Sequence, residues 1–131
     1  NTGINVFKKN YIFGVGIKNY REESIKKIYT KQNKDFAFQI MGTHPHQIHF
    51  EILAETGLFG FLSFITFILY SLFYSLKSYF KNKNKYQLSA ILFILCSLIP
   101  FLPSGSFFST YTSILFWLNF AIMTVYNNNK I

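Results

Sequence analysis

The sequence predicts an all-α integral membrane protein with three transmembrane helices. Three runs without any charged residue support this prediction: 57–76, 86–102 and 111–126. A helix needs about 20 apolar residues to cross a hydrocarbon core of ~30 Å, and the three runs approach or reach that length. Half of the 131 residues are hydrophobic. So short a chain is not expected to bury three such helices in the core of a soluble protein.

Charged residues are segregated along the chain. All five acidic residues precede residue 56, and only lysines carry charge after it. The net charge is +8, but the basic residues border apolar runs, which indicates membrane topology rather than nucleic-acid binding. The single cysteine, Cys96, lies in an apolar run and is predicted to act as a small hydrophobic residue. The chain begins with Asn1 and shows no signal peptide, so we expect a C-terminal piece of a longer protein.

Lysine placement predicts the orientation of the spans. Segment 77–85 has four lysines, whereas the twenty residues before Gly57 contain no Lys or Arg, so the lysine-rich segment is expected to be cytoplasmic. Residues 1–34 hold seven lysines and Arg21, but they lie far from the first span, where the rule weakens. The expected organisation is a periplasmic loop region (1–56) with a short helix at about 45–56, spans 57–76, 86–102 and 111–126, a cytoplasmic linker (77–85), a periplasmic turn (103–110) and a cytoplasmic tail (127–131).

The first part of the chain contains an isolated Gly-x-Gly. Residues 6–16 read as an amphipathic stretch that ends in a turn at Gly14 and Gly16. Because neither a P-loop nor a dinucleotide-binding pattern surrounds these glycines, a tight turn is favoured over a nucleotide site. Residues 17–35 are charged and polar, and we expect them to be exposed.

Segment 43–60 (THPHQIHFEILAETGLFG) is the most informative part of the chain. Pro45 suits the first turn of a helix, and Thr43 or His44 is placed to cap it. In an unbroken helix, with roughly 100° per residue, one stripe contains His46, Leu53, Gly57 and Gly60, while Glu51 and Glu55 lie on the opposite side. Because glycines on a membrane helix allow close approach, this stripe is expected to face protein rather than lipid.

Two kinds of chemistry are open to the histidines. A neutral imidazole at His46 can accept a proton from a hydroxyl near neutral pH, or the same residue can simply hydrogen-bond and cap the segment. His44, His46 and His49 form H-x-H-x-x-H, and zinc sites do use three histidines. However, His44 precedes Pro45 and would point differently, and no H-E-x-x-H is present, so we expect no metal.

Here the sequence resembles the family of O-antigen ligases and polymerases, which are bacterial membrane glycosyltransferases. The family pattern is His, then Asn, Ser or Gln, then nine residues, then Gly-x-x-Gly. It is met by His46, Gln47, residues 48–56 and the run 57–60. FGVGIKNY (13–20) also resembles the Gly-x-Gly segment that often precedes the pattern in that family.

The resemblance implies a reaction and its participants. A glycan would move from an undecaprenyl-diphosphate carrier to an acceptor such as lipid A core, at the periplasmic face of the inner membrane, without metal or cofactor. His46 would be the catalytic base. Gln47, His49 and Arg21 would contact substrate, although Arg21 is equally compatible with a solvated charge. Partners would be the lipid-linked glycan, its acceptor and membrane lipid, but no nucleic acid.

Several alternatives remain open at this point. A polymerase and a protein O-oligosaccharyltransferase of the same family share the fold and a similar donor. A transporter subunit or membrane anchor would give His46 no role, and a metallohydrolase would need all three histidines. The turn 103–110 either contacts the carrier through Ser104, Ser106, Ser109 and Thr110 or satisfies helix ends.

Overall fold

The computed structural model describes residues 2–24, 47–100 and 105–127. All regular structure in these ranges is helical, so the prediction of an all-α chain is confirmed for the part described. The helices are α1 (Thr2–Lys9), α2 (Tyr20–Ser24), α3 (Ile48–Asn82), α4 (Lys85–Ser97) and α5 (Thr110–Val125). The chain forms two compact units: a first unit of Asn1–Ser63 with Pro100–Phe108, and a second unit of Phe64–Ile99 with Ser109–Ile131.

One helix in the described ranges, α3, is long and apolar enough to cross a membrane. It has 35 residues and extends beyond both ends of the uncharged run 57–76. Helices α4 and α5 are apolar, but they have only 13 and 16 residues, fewer than the roughly 20 that span a hydrocarbon core. Helix α4 is also shorter than the run 86–102 that predicted it, whereas α5 is as long as the run 111–126.

Most of the lysine-rich segment is helical rather than an open linker. Helix α3 continues to Asn82 and α4 begins at Lys85, which leaves Lys83 and Asn84 as the connection. Lys83 adopts a positive φ of 53°, and the Asn84 side chain accepts hydrogen bonds from the first N–H groups of α4. Such side-chain caps satisfy donors that the helix itself leaves unpaired. A sharp turn of two residues is therefore sufficient to connect α3 to α4.

The second unit has an apolar interior in which a few neutral polar groups are buried. Helices α4 and α5 pack against each other. Gln87, from α4, donates through Nε2 to the carbonyl of Met123 at 3.1 Å and to Asn127 Oδ1 at 3.0 Å. Ser78 of α3 donates to the carbonyl of Tyr126 at 2.9 Å. These side chains satisfy carbonyls that the end of α5 leaves without helical partners.

The first unit joins α1, α2 and the start of α3 through a small apolar cluster. Val6, Tyr20 and Ala54 are buried together, and Val15 packs against them. Burial raises the pKa of the Tyr20 phenol, which therefore stays neutral at physiological pH. The cluster fixes the two short helices on the segment of α3 that precedes the uncharged run.

Candidate functional site

Helix α3 is interrupted at Gly57, so the unbroken helix that the stripe of His46, Leu53, Gly57 and Gly60 assumes is not present. Gly57 has φ 71° and ψ −172°, a region that is essentially restricted to glycine. In a continuous helix the N–H groups of Leu58 and Phe59 would donate to the carbonyls of Ala54 and Glu55. The break separates these donors from these acceptors. As a result, Gly57 and Gly60 do not continue the helical stripe of the residues before them.

The loop 11–16 supplies replacement partners for both halves of the interrupted helix. Its N–H groups bind the two released carbonyls, and its carbonyls accept from the two released N–H groups. The bonds are Val15 N to Ala54 O (3.1 Å), Gly16 N to Glu55 O (2.8 Å), Leu58 N to Tyr11 O (2.7 Å) and Phe59 N to Ile12 O (3.3 Å). Four main-chain hydrogen bonds to the loop thus take the place of two within the helix.

Two glycines make this contact possible because main chain meets main chain. A Cβ at Gly14 would overlap the Glu55 carbonyl group and lie 2.6 Å from the Gly57 nitrogen. A Cβ at Gly57 would overlap the Ile12 carbonyl oxygen and lie 2.5 Å from the Gly14 nitrogen. Positive φ values at Gly14 (69°) and Gly16 (92°) confirm the predicted tight turn. The Gly-x-Gly and Gly-x-x-Gly segments are therefore two sides of one contact, and Gly57 does face protein, although its neighbour is a loop.

A polar face lies along the beginning of α3 and consists of Gln47, Glu51 and Glu55. The residues are four apart, so they lie above one another along the helix. Glu51 is 1% exposed and Glu55 4% exposed. Buried carboxylates require hydrogen-bond donors, and each of these residues has one or more from another segment of the first unit.

Glu51 accepts two hydrogen bonds from consecutive residues of the segment before α5. The N–H of Phe107 donates to Oε2 at 2.6 Å, and the hydroxyl of Ser106 donates to Oε1. The Ser106 hydroxyl was one of the candidate contacts to the carrier. In this structure it donates to the Glu51 carboxylate. Ser109 accepts from Thr112 N as the N-cap of α5, which agrees with the alternative that this turn satisfies helix ends.

Gln47 immediately precedes α3 in the chain. Its carbonyl accepts the first helical hydrogen bond, from Glu51 N at 3.0 Å, and its side-chain Nε2 donates to the carbonyl of Pro100. The predicted start at Pro45 is therefore not seen in the described residues, where α3 begins at Ile48. Pro45 itself lies outside them.

Glu55 connects α3 to the residues that follow the Gly-x-Gly. Its Oε2 accepts from Lys18 N at 2.8 Å. Burial raises the pKa of the Glu55 carboxyl, and the nearby charge of Glu51 raises it further, while the Lys18 N–H lowers it. The net direction is upward, so ionisation of Glu55 is disfavoured by folding.

The structure describes only some of the predicted site residues. His44, His46 and Ser104 lie outside the described residues. His49 lies in the first turn of α3, two residues from Gln47, with its ring edge-on to Phe61 at a centroid distance of 6.1 Å. Arg21 is exposed on α2, which the Tyr20–Ala54 cluster attaches to α3. Within the described ranges, no group of three His, Cys, Asp or Glu side chains is arranged to hold a metal.

Sequence reasoning missed the roles of Glu51 and Glu55. It placed them away from His46 and assigned them no partner. A signal was nevertheless present, since two acids at i and i+4 directly before an apolar run are costly unless each is paired. Their periodicity with Gln47 was also visible, but the segments that pair with them are 37 to 56 residues distant in the chain.

Comparison with protein families gives one match. Residues 1–65 match the family model Wzy_C, O-antigen ligase. The match includes the loop 11–16, the polar face and the interruption at Gly57. No curated protein and no solved structure matches the chain significantly.

Proposed function

Because residues 1–65, about half of this chain, belong to the O-antigen ligase family, we propose that the full-length protein is a membrane glycosyltransferase of the ligase type. It moves a glycan from a polyprenyl-diphosphate carrier to a lipid acceptor such as lipid A core. The observation that carries the proposal is that the matched residues include both glycine segments, which the structure joins by main-chain hydrogen bonds.

His46 is proposed as the general base. Its imidazole takes the proton of the acceptor hydroxyl while the acceptor oxygen forms a bond to the sugar carbon. The bond from that carbon to the carrier phosphate breaks, and the diphosphate leaves with the electron pair. Histidine suits this step because its ordinary pKa of about 6.5 leaves most of it neutral at pH 7.

Arg21, Gln47 and His49 are proposed as substrate contacts. Arginine pairs with phosphate in a bidentate way and stabilises the charge of a departing diphosphate. Support for Arg21 is its exposure on a helix attached to α3. Gln47 and His49 are supported by their position at the beginning of α3, within three residues of His46 in the chain.

The membrane arrangement is proposed on the same basis. Three spans cross the inner membrane, with the lysine-rich turn in the cytoplasm and the start of α3 at the periplasmic face. Support comes from the length of α3 and from the lysines near its C-terminal end. Helices α4 and α5 would then cross as the two shorter spans.

Glycan transfer in cells that lack their own ligase tests the proposal. The full-length protein with His46→Ala is expected to accumulate normally but to leave the acceptor lipid without glycan. His44→Ala serves as a matched control and is expected to retain transfer, because the proposed mechanism gives that residue no role. Unchanged transfer by His46→Ala would rule out the proposed base, and loss in both variants would favour a metal site.

The same assay separates the ligase from its relatives. Long chains of repeat units on the carrier, with no glycan on the lipid acceptor, would identify a polymerase. Glycan on protein would identify a protein glycosyltransferase. Either product would overturn the ligase assignment while it leaves the donor class intact.

A further inference from the structure

We infer that Glu51 is a positioning residue for glycan transfer: its carboxylate holds residues 106–107 against the helical turn that carries Gln47 and follows His46. The inference rests on the proposed function, but it names a residue that the family pattern does not specify. Its basis is a buried carboxylate with two donors from one segment, together with a second contact from the same helix face to that segment.

The first observation is the geometry at Glu51. The side chain is 1% exposed, and it receives one main-chain N–H and one hydroxyl from adjacent residues. Two donors from consecutive residues fix both the position and the direction of the chain that supplies them. Phe107 is itself buried, so its N–H would have no water to turn to if the carboxylate were removed.

The second observation is that Gln47, four residues before Glu51, contacts Pro100, which precedes residues 106–107 in the chain. Its side chain donates to Pro100, while Glu51 binds Ser106 and Phe107. Because positions 47 and 51 are separated by one turn, both contacts lie on one helix face. The backbone of Glu51 also donates to the carbonyl of Gln47, so Glu51 stabilises the beginning of α3 with its main chain and its side chain.

The consequence concerns His46, which is bonded directly to Gln47. A general base must lie within hydrogen-bond reach of its proton donor, and small displacements of reacting groups are costly in rate. The side-chain and main-chain contacts of Gln47 restrict the residue to which His46 is covalently bonded. Loss of the Glu51 carboxylate should therefore slow the chemical step more than it weakens substrate binding.

Two variants at Glu51 distinguish position from charge. Glu51→Ala removes the carboxylate that accepts from the buried Phe107 N–H. In Glu51→Gln, the amide oxygen can still accept from Phe107 while the amide N–H donates to the Ser106 hydroxyl, which is able to rotate. The glutamine variant should therefore preserve the turn, although it carries no charge.

Steady-state kinetics of the purified full-length enzyme test the inference. Glu51→Ala is expected to lower kcat by about 10- to 100-fold, with the KM for the lipid-linked donor within about 3-fold. Glu51→Gln is expected to stay within about 3-fold of wild type in both. Glu22→Ala, which removes an exposed acid on α2, is the matched control and should change neither. An unchanged kcat in Glu51→Ala, or equal losses in the alanine and glutamine variants, would overturn the positioning role.

Amide hydrogen exchange of residues 105–108 in the same full-length proteins gives a readout that does not depend on activity. Exchange in this segment should rise at least about 10-fold in Glu51→Ala and remain close to wild type in Glu51→Gln. Unchanged exchange in Glu51→Ala would overturn the inference whatever the kinetics show. If the wild-type enzyme transfers no glycan while exchange still responds to Glu51→Ala, the proposed function fails and the contact itself is upheld.

Discussion

The two units bury polar groups in opposite ways. In the first unit, the buried acceptors are carboxylates, and the donors that reach them are the main-chain N–H groups of Phe107 and Lys18 and the Ser106 hydroxyl. In the second unit, the buried donors are neutral side chains, and the acceptors are main-chain carbonyls near the end of α5. Among the described residues, the buried acidic groups therefore lie in the unit whose loops supply main-chain N–H donors.

This difference follows from what each unit contains. Loops and helix starts expose N–H groups, which suit an anionic acceptor. Helix ends expose carbonyls, which suit hydroxyl and amide donors, and neutral groups avoid the cost of placing a charge among apolar helices. Hydrogen bonds to buried carboxylates thus fix particular residues in the first unit. The second unit depends mainly on apolar packing with a few polar contacts.

The largest effect is expected where main chain meets main chain in the first unit. Gly57→Ala should destabilise the full-length protein by at least about 3 kcal/mol, because alanine disfavours this backbone conformation and its Cβ would displace the loop 11–16. Thermal unfolding in detergent and the amount of folded protein measure this effect.

Gly16→Ala is the matched control for that variant. Gly16 also has a positive φ, but an added Cβ would meet only the end of the Asn19 side chain, at 2.9 Å, which can move. A loss of about 1–2 kcal/mol is expected. Equal losses at Gly16 and Gly57 would show that backbone conformation alone, rather than the contact with the loop, determines the cost.

A smaller effect is expected in the second unit. Gln87→Met removes two donated hydrogen bonds, but it also removes Oε1, a buried oxygen without a hydrogen-bond partner among the described residues. The Met123 carbonyl keeps the Ser75 hydroxyl as a donor. Because hydrogen bonds between membrane helices contribute about 0.6 kcal/mol on average, the thermal midpoint in detergent should fall only slightly. A fall as large as that of Gly57→Ala would contradict the comparison between the units.

The smallest effect is a pH dependence at Glu55. Its pKa is raised by folding above the ordinary value of 4.5, so the native state holds this proton more tightly than the unfolded state. Its contribution favours folding below about pH 4.5 and declines as pH rises through the raised pKa of the folded state. Glu55→Gln should remove that decline, since the amide oxygen can still accept from Lys18.

Thermal unfolding of the full-length protein between about pH 4 and about pH 7 tests this expectation. The difference in thermal midpoint between Glu55→Gln and wild type should become more positive as pH rises. Glu22→Gln, which changes an exposed acid, is the control and should show no such trend. A pH-independent difference at Glu55 would mean that its ionisation is not coupled to folding.

Composition predicted the apolar helices α3, α4 and α5, because apolar runs are local properties, but it did not predict the short helices α1 and α2. The turn at Gly14 and Gly16 was also predictable, since isolated glycines favour such conformations. The interruption at Gly57 was not, because a glycine within an apolar run is compatible with an intact helix. Only the loop 11–16, which lies more than forty residues earlier, makes the broken form favourable.

The candidate site was predictable as a motif but not as a set of contacts. Helical geometry correctly separated Glu51 and Glu55 from the Leu53 side of the helix. Helical geometry did not indicate which chain segments would bind these two carboxylates. A carboxylate before an apolar run has the same local pattern whether it is solvated or bound by Phe107, because that partner is 56 residues away.

The start of α3 has two sets of contacts, one with loop 11–16 and one with residues 106–107. Their partners become available at different times during synthesis. Loop 11–16 leaves the ribosome before Gly57, so the partners of the broken helix are present as soon as that residue emerges. Glu51 must wait for Phe107, and at about 5–20 residues per second the delay is several seconds. During that interval the Glu51 carboxylate has no segment 106–107 to accept from. A chain that stops before Ser106 therefore leaves Glu51 without those two donors.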